Sequence, residues 1–203
     1  MEKLFRLRRY VFIMLLCYAV WITLYLLTAW IGALRGPFFD PALPVDAAIP
    51  FIPAFFPAYL LAYVIILGLF AIDRSPAFLN RAFGTFIVMN LTAFLLFALF
   101  PAMGPARELA SEGGTLSLLH AVDSRYNAFP SLHVANPWLV AFLALRSRGL
   151  TALSLLFVAV AVLISVSTLF VHQHYVLDAL GGFALAVLAM TGMSRVRFGT
   201  APW

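Results

Sequence analysis

The sequence is poor in charge. Asp, Glu, Lys and Arg make up 10% of its 203 residues, where soluble globular domains carry roughly 25%, and the shortfall runs along nearly the whole chain. That excludes an ordinary water-soluble domain. Cys17 is the only cysteine, which excludes an intrachain disulfide and a cysteine-rich metal centre; its place within an apolar run reads as a small packing residue. No segment alternates apolar and polar residues as the strands of a membrane barrel do. No internal repeat of the kind that builds many transporters stands out either.

What is present is hydrophobic: 64% of the residues are apolar or aromatic, with a mean hydropathy of +1.01. They fall in runs of about 20 residues, the length that crosses hydrocarbon as a helix. Backbone groups at that depth must pair within their own segment. The sequence therefore predicts an all-α, six-transmembrane-helix integral membrane bundle, with spans near 10–33, 52–72, 83–103, 130–146, 150–171 and 174–194. The fourth is the shortest, and Pro53 and Pro57 interrupt the second. Residues 1–203 read as a single membrane-embedded domain. The first run exceeds the roughly 7–15 residues of a secretory signal core, so it reads as an uncleaved anchor.

A net charge of +5 has a topological explanation. With the amino terminus cytoplasmic, Lys3, Arg6, Arg8, Arg9, Arg74, Arg81, Arg146, Arg148, Arg195 and Arg197 share one side, leaving only Arg35, Arg107 and Arg125 on the other. Such asymmetry orients multispanning proteins and is not a nucleic-acid footprint. Asp40, Asp46, Glu108, Glu112 and Asp123 fall on the opposite side, where the connections Gly36 to Pro50 and Gly104 to Ala128 are also longest. The first of these, rich in proline and acid, is a candidate to dip back toward the membrane. Long loops on a rigid scaffold tend to carry function. The expectation is a multi-pass protein of the cytoplasmic membrane, both termini inside, with its site at the extracytoplasmic face.

Two short segments bring titratable groups to that face, Phe129-Pro130-Ser131-Leu132-His133 and His174-Tyr175-Val176-Leu177-Asp178. Ionisable side chains at membrane depth are costly and mark working sites. Proline suits a first helical turn, so the fourth helix is expected to open at Pro130. Ser131, Leu132 and His133 then lie where unpaired backbone N–H groups favour a phosphate. His174 and Asp178, four apart, share a helix face, so that the carboxylate can fix one imidazole nitrogen and leave the other as an oriented base or nucleophile. The chemistry fits phosphoryl transfer.

These residues resemble the motifs of a known family. Pro130-Ser131-Leu132-His133, and later Ser167 with His174-x3-Asp178, are similar to the second and third motifs of the type 2 phosphatidic acid phosphatase superfamily. The Pro-Ser-Leu-His form, with Gly104-Pro105-Ala106-Arg107 upstream, resembles its inositol phosphorylceramide synthase-like branch. The resemblance implies that His174 is the nucleophile and forms a phosphohistidine, that Asp178 orients it, and that His133 is the general acid. It implies no metal and no cofactor. It also places Ser131, Leu132, Ser167 and Thr168 around the phosphate. Three departures stand out. The lysine and Arg-Pro pair of the first motif are missing, Thr168 replaces the arginine that commonly follows the third-motif serine, and Leu132 replaces a glycine. Arg107 and Arg125 are the bases available to grip phosphate instead, for which a planar guanidinium fork is suited.

The expected activity is hydrolysis of a phosphomonoester or pyrophosphate on a membrane lipid, such as phosphatidic acid, phosphatidylglycerol phosphate or a polyprenyl pyrophosphate. One alternative is transfer of a phosphorylated headgroup to a lipid alcohol such as ceramide or diacylglycerol. A non-catalytic lipid-phosphate binder or a lipid transporter ranks lower, because a transporter would place its ionisable residues near mid-bilayer. Among the other polar residues, His172 reads as interfacial and His120 as a loop residue. Asn136 and Pro137 read equally as a kink or a ligand contact, and Gly181, Gly182 and Ala186 as close helix packing.

Overall fold

The computed structural model describes residues 2–37, 39–105 and 124–193. Arg107 and most of the Gly104–Ala128 connection lie outside the described residues, as do Arg195 and Arg197. Among the described residues the chain is helical, without a named strand. The helices are α1 (Glu2–Arg35), α2 (Pro53–Tyr63), α3 (Ile65–Ile72), α4 (Pro76–Leu99), α5 (Leu132–Arg148), α6 (Ala152–Phe170) and α7 (Val176–Met193).

Four of them, α1, α4, α6 and α7, are long and apolar enough to cross a membrane, which marks a multi-pass membrane protein. A fifth crossing results if α2 and α3 count as one span. That segment mixes α and 3-10 turns and bends by 55° between its halves, within an apolar run that already carries Pro53, Pro57 and Gly68. The expected fourth span, α5, has 17 residues and falls short of the four on length. It is the centre of the bundle, touching α3, α4, α6 and α7. Ala135, Ala141 and Ala144 are fully buried along it, and such small side chains let neighbouring backbones approach. α1 is the opposite case. Only 11% of its apolar window is buried, and Phe12, Leu15, Leu16 and Leu34 point outward.

The helix ends sort into two groups. At one, the arginine end, Arg148 Nε donates to the Ile72 carbonyl, and Arg81 and Arg146 line one cavity with Asp73. At the other, the histidine end, Arg35 donates to the Ala98 carbonyl. Isolated bridges link Phe39 to Ala102 and Ala102 to Asn127. The Gly36–Pro50 connection forms a 3-10 turn, Pro44–Ala48, and Asp46 Oδ1 accepts the Val176 N–H at 2.8 Å. That bond ties the turn to the start of α7. A further tie runs from the Ile52 N–H to the Phe170 carbonyl, at 2.8 Å.

Candidate active site

Both motifs lie at the histidine end, but each helix opens later than the sequence predicts. α5 begins at Leu132, with Ser131 as its N-cap in extended conformation, so Pro130 precedes the cap and does not occupy the first turn. α7 begins at Val176. His174 therefore sits in the turn ahead of the helix, and only Asp178 is in the first turn. The carboxylate reaches back, its Oδ2 accepting the Tyr175 N–H at 2.8 Å, as an acid at the third helical position does in a capping box. The turn is shaped by α6. The Thr168 carbonyl accepts the N–H groups of Gln173 at 3.0 Å and His174 at 3.2 Å, and that of Ser167 accepts from Val171 at 3.0 Å.

Backbone contacts join the two motifs. The Ser131 N–H donates to the Asp178 carbonyl at 3.0 Å. A Cβ at Gly182 would collide with the Ser131 carbonyl, and one at Gly181 with the Phe129 ring. Glycine at both positions lets α7 lie against the start of α5, in keeping with the packing role expected for the pair.

The side chains converge as a result. His133 Nδ1 and His174 Nε2 are 3.3 Å apart. On the far side of the His174 ring, Nδ1 lies 3.6 Å from Asp178 Oδ2, an ion-pair distance just beyond a hydrogen bond, so the expected bond is not formed in this state. Asp178 and Ser131 are fully buried, and His133 and His174 are 8% and 7% exposed. The His133 ring stacks on Tyr59, with centroids 4.5 Å apart, and meets the edge of Tyr63 at 5.2 Å. The bent second segment thus delivers two tyrosines to one face of the histidine. Ring nitrogens and a carboxylate set this close in a largely buried pocket suit nucleophilic attack coupled to proton transfer.

The other expected phosphate ligands divide. Leu132 heads α5 and lines the cavity beside His133. The Ser131 hydroxyl is buried and without a hydrogen-bond partner. Ser167 and Thr168 spend their hydroxyl protons on α6 itself, on the Ile164 carbonyl at 2.6 Å and the Ser165 carbonyl at 2.8 Å. As positioned, they build the turn. Arg125 Nη2 donates to the Gly104 carbonyl at 3.1 Å, while its Nε is buried and unpartnered. Arg107 lies outside the described residues.

Two cavities meet at His174. The first, with about 30 Å³ of free space and open at one side, is walled by Tyr18, Trp21, Tyr25, Tyr63, Asn136 and His133. The second, about 310 Å³, opens toward the Pro44–Ala48 turn and is lined by Asp46, His172 and Tyr175. His172 is neither on a helix nor remote from the site. Its φ of 50° puts it in the left-handed region, where the chain reverses direction, and its Nε2 lies 3.1 Å from the Ile49 carbonyl. Burial pushes the Tyr175 phenol above its ordinary value; the Asp40, Asp46 and Asp178 carboxylates add to the rise and the Arg125 guanidinium opposes it.

Sequence reasoning missed Tyr59, Tyr63, Asp46 and the chain that joins Trp21, Asn90 and Asn136. Its available signal was polar and amphipathic side chains inside apolar runs. Asn90 Nδ2 donates to Asn136 Oδ1 at 3.0 Å, and Trp21 Nε1 to Asn90 Oδ1 at 2.8 Å, so Asn136 is tied to α4 as well as lining the cavity. Comparison with curated proteins and with solved structures found no match. Residues 46–192, a span that holds both motifs and more than half of the chain, match the PAP2 superfamily, and the chain belongs to that superfamily.

Proposed function

We propose that this protein is a lipid phosphatase that works through a phosphohistidine on His174. Members of the PAP2 superfamily are typically phosphatases or phosphotransferases, which supports the reaction class. The observation that carries the residue assignment is the 3.3 Å approach of His133 Nδ1 to His174 Nε2 with Asp178 behind the second ring. A carboxylate beside Nδ1 favours the proton there, leaving the Nε2 lone pair directed at the site. A phosphate entering between the rings replaces the contact between them. Nε2 attacks phosphorus, and the N–P bond forms as the bond to the leaving oxygen breaks. His133 gives its proton to that oxygen. Water then attacks phosphorus, losing a proton to His133, and phosphate departs from His174. The Ser131 hydroxyl, the N-terminus of α5 and the Arg125 guanidinium hold the non-bridging oxygens in this reading.

In the same reading the whole chain is one membrane domain, α2 with α3 and α5 complete six crossings, and the histidine end faces away from the cytoplasm. The charge asymmetry supports that orientation. The test is phosphate release, without added metal, from phosphatidic acid and a polyprenyl pyrophosphate in detergent. Wild-type release that falls by a factor on the order of 10³ or more in folded His174→Ala is the expected result. Release that survives the substitution overturns the assignment.

A second reading, headgroup transfer as in the inositol phosphorylceramide synthase-like branch, is favoured by the second cavity. A phosphomonoester has nothing to place beyond its phosphate, whereas about 310 Å³ lined by Asp46, His172 and Tyr175 beside His174 suits a polar headgroup. Product formation only when a lipid alcohol is supplied would select it.

A further inference from the structure

The cavity at the histidines shares a wall with the lipid-facing surface. Trp21 and Phe86 line that cavity and also line a groove of about 240 Å³ between α1 and α4. The groove is almost wholly apolar, with Leu16, Val20, Ile87 and Leu91 exposed along it. Its inner wall is anchored. The Trp21 ring stacks on Tyr25 at 5.3 Å between centroids and meets Phe94 edge-on at 6.1 Å, while its indole N–H is held by Asn90 and, through Asn90, by Asn136. A lipid whose phosphate reaches His133 and His174 must lead its hydrocarbon out of the bundle somewhere. α5 packs closely against both α6 and α7, and α4 is the principal partner of α1.

We propose that the α1–α4 groove, with Trp21 and Phe86 as its threshold, is the lateral entry and seat of the substrate's hydrocarbon chain. The inference rests on the reading of His174 as acting on a membrane lipid. Only the side chains of Trp21 and Phe86, shared by both linings, stand between the groove and the histidine cavity; that adjacency selects a hydrocarbon chain, thin enough to be led past them, over a helix of a second copy, which would stop at the Trp21 wall. Lipid tails are as apolar as the groove, so little hydrophobic driving force draws them in. The groove acts by shape, and its effect falls on long-chain substrates alone.

Cys17 is the only cysteine in the chain and it lines this groove, so the native protein carries its own probe. Labelling the detergent-purified full chain with a bulky aromatic maleimide should cut turnover of long-chain phosphatidic acid at least about tenfold and leave hydrolysis of a small water-soluble aryl phosphate unchanged. The reagent should have no effect on either substrate in Cys17→Ser protein. Val20→Trp, a plug at an exposed position, should reproduce the selective loss. Full labelling that spares the long-chain lipid, or that lowers both substrates equally, overturns the proposal. A second arm needs no turnover: a long-chain phosphonate lipid should slow Cys17 labelling several-fold, and an unchanged rate overturns the proposal. Cys17-to-Cys17 crosslinking that the phosphonate leaves unaffected would give the groove to a second copy and also overturn it. If neither ester is hydrolysed by unlabelled protein, the phosphatase reading fails, and the protection arm still decides the groove.

Discussion

Among the described residues three helices begin with Ser or Thr as N-cap, and they do not use it alike. At the arginine end, Ser75 and Thr151 cap α4 and α6 conventionally, each accepting a backbone N–H three residues on, from Phe78 and Ser154, at 3.3 Å. At the histidine end Ser131 holds the same position on α5 and makes no such bond. Its hydroxyl shares this state with Arg125 Nε, Asn127 Oδ1, both amide atoms of Gln173, His174 Nδ1 and Asp178 Oδ1, all buried without a partner. Unpaired buried polar groups cost stability, and a cluster of them calls for an explanation. The arginine end spends its polar groups on helix ends. The histidine end holds buried polar atoms that no protein group pairs.

The comparison can be pressed in order of expected effect. His133→Ala should lower turnover of a lipid phosphate by about 10²–10⁴-fold, the usual worth of a general acid. It should cost much less with an activated aryl phosphate, whose leaving group needs no proton; equal losses on both would remove His133 from that role. Gly182→Ala comes next. The new methyl meets the Ser131 carbonyl, and relieving such overpacking costs about 1–3 kcal/mol. A fall in thermal midpoint together with roughly tenfold lower turnover is expected, and an unchanged thermal midpoint would show that the helix contact is loose.

The caps themselves give a paired test. Ser75→Ala should cost about 1 kcal/mol of stability and leave turnover within about twofold. Ser131→Ala should do the reverse, leaving the thermal midpoint in place and raising KM or lowering kcat; matched behaviour of the two would erase the distinction between the ends. The smallest effect concerns pH. The folded state raises the Tyr175 pKa, so its contribution to stability is fully present below the unfolded value of about 10 and is lost as pH rises through the folded one. Phenolate absorbance in the alkaline range should lose one late-titrating tyrosine in Tyr175→Phe.

Much of this was legible from sequence, for identifiable reasons. Pro130-Ser131-Leu132-His133 and His174-x3-Asp178 are local signals, and both land at one end of the bundle because apolar runs fix where helices turn. Pro53 and Pro57 signalled an irregular second segment but not where it bends: both open helical turns near its start, and the 55° bend falls later, between Tyr63 and Ile65. The helix starts were misplaced by two residues at each motif because capping is decided by tertiary partners: Ser131 N–H is taken by the Asp178 carbonyl, and the His174 N–H by Thr168. Hydropathy alone did not separate α1, which meets lipid, from α5, which meets protein. Nor does periodicity in a broken helix say that Tyr59 and Tyr63 will cover His133, since the 55° bend that aims them depends on what the segment packs against.

The bond from Ser131 to the Asp178 carbonyl also has a consequence in time. His133 and His174 are separated in sequence by nearly the whole of α5 and α6, and the backbone contact that joins their motifs forms only when α7 docks against Phe129 and Ser131. A partly synthesised chain already threaded through the membrane therefore contains His133 without the α7 surface that frames it. If the proposed function holds, the chain stays inert toward the surrounding lipid until α7 is in place.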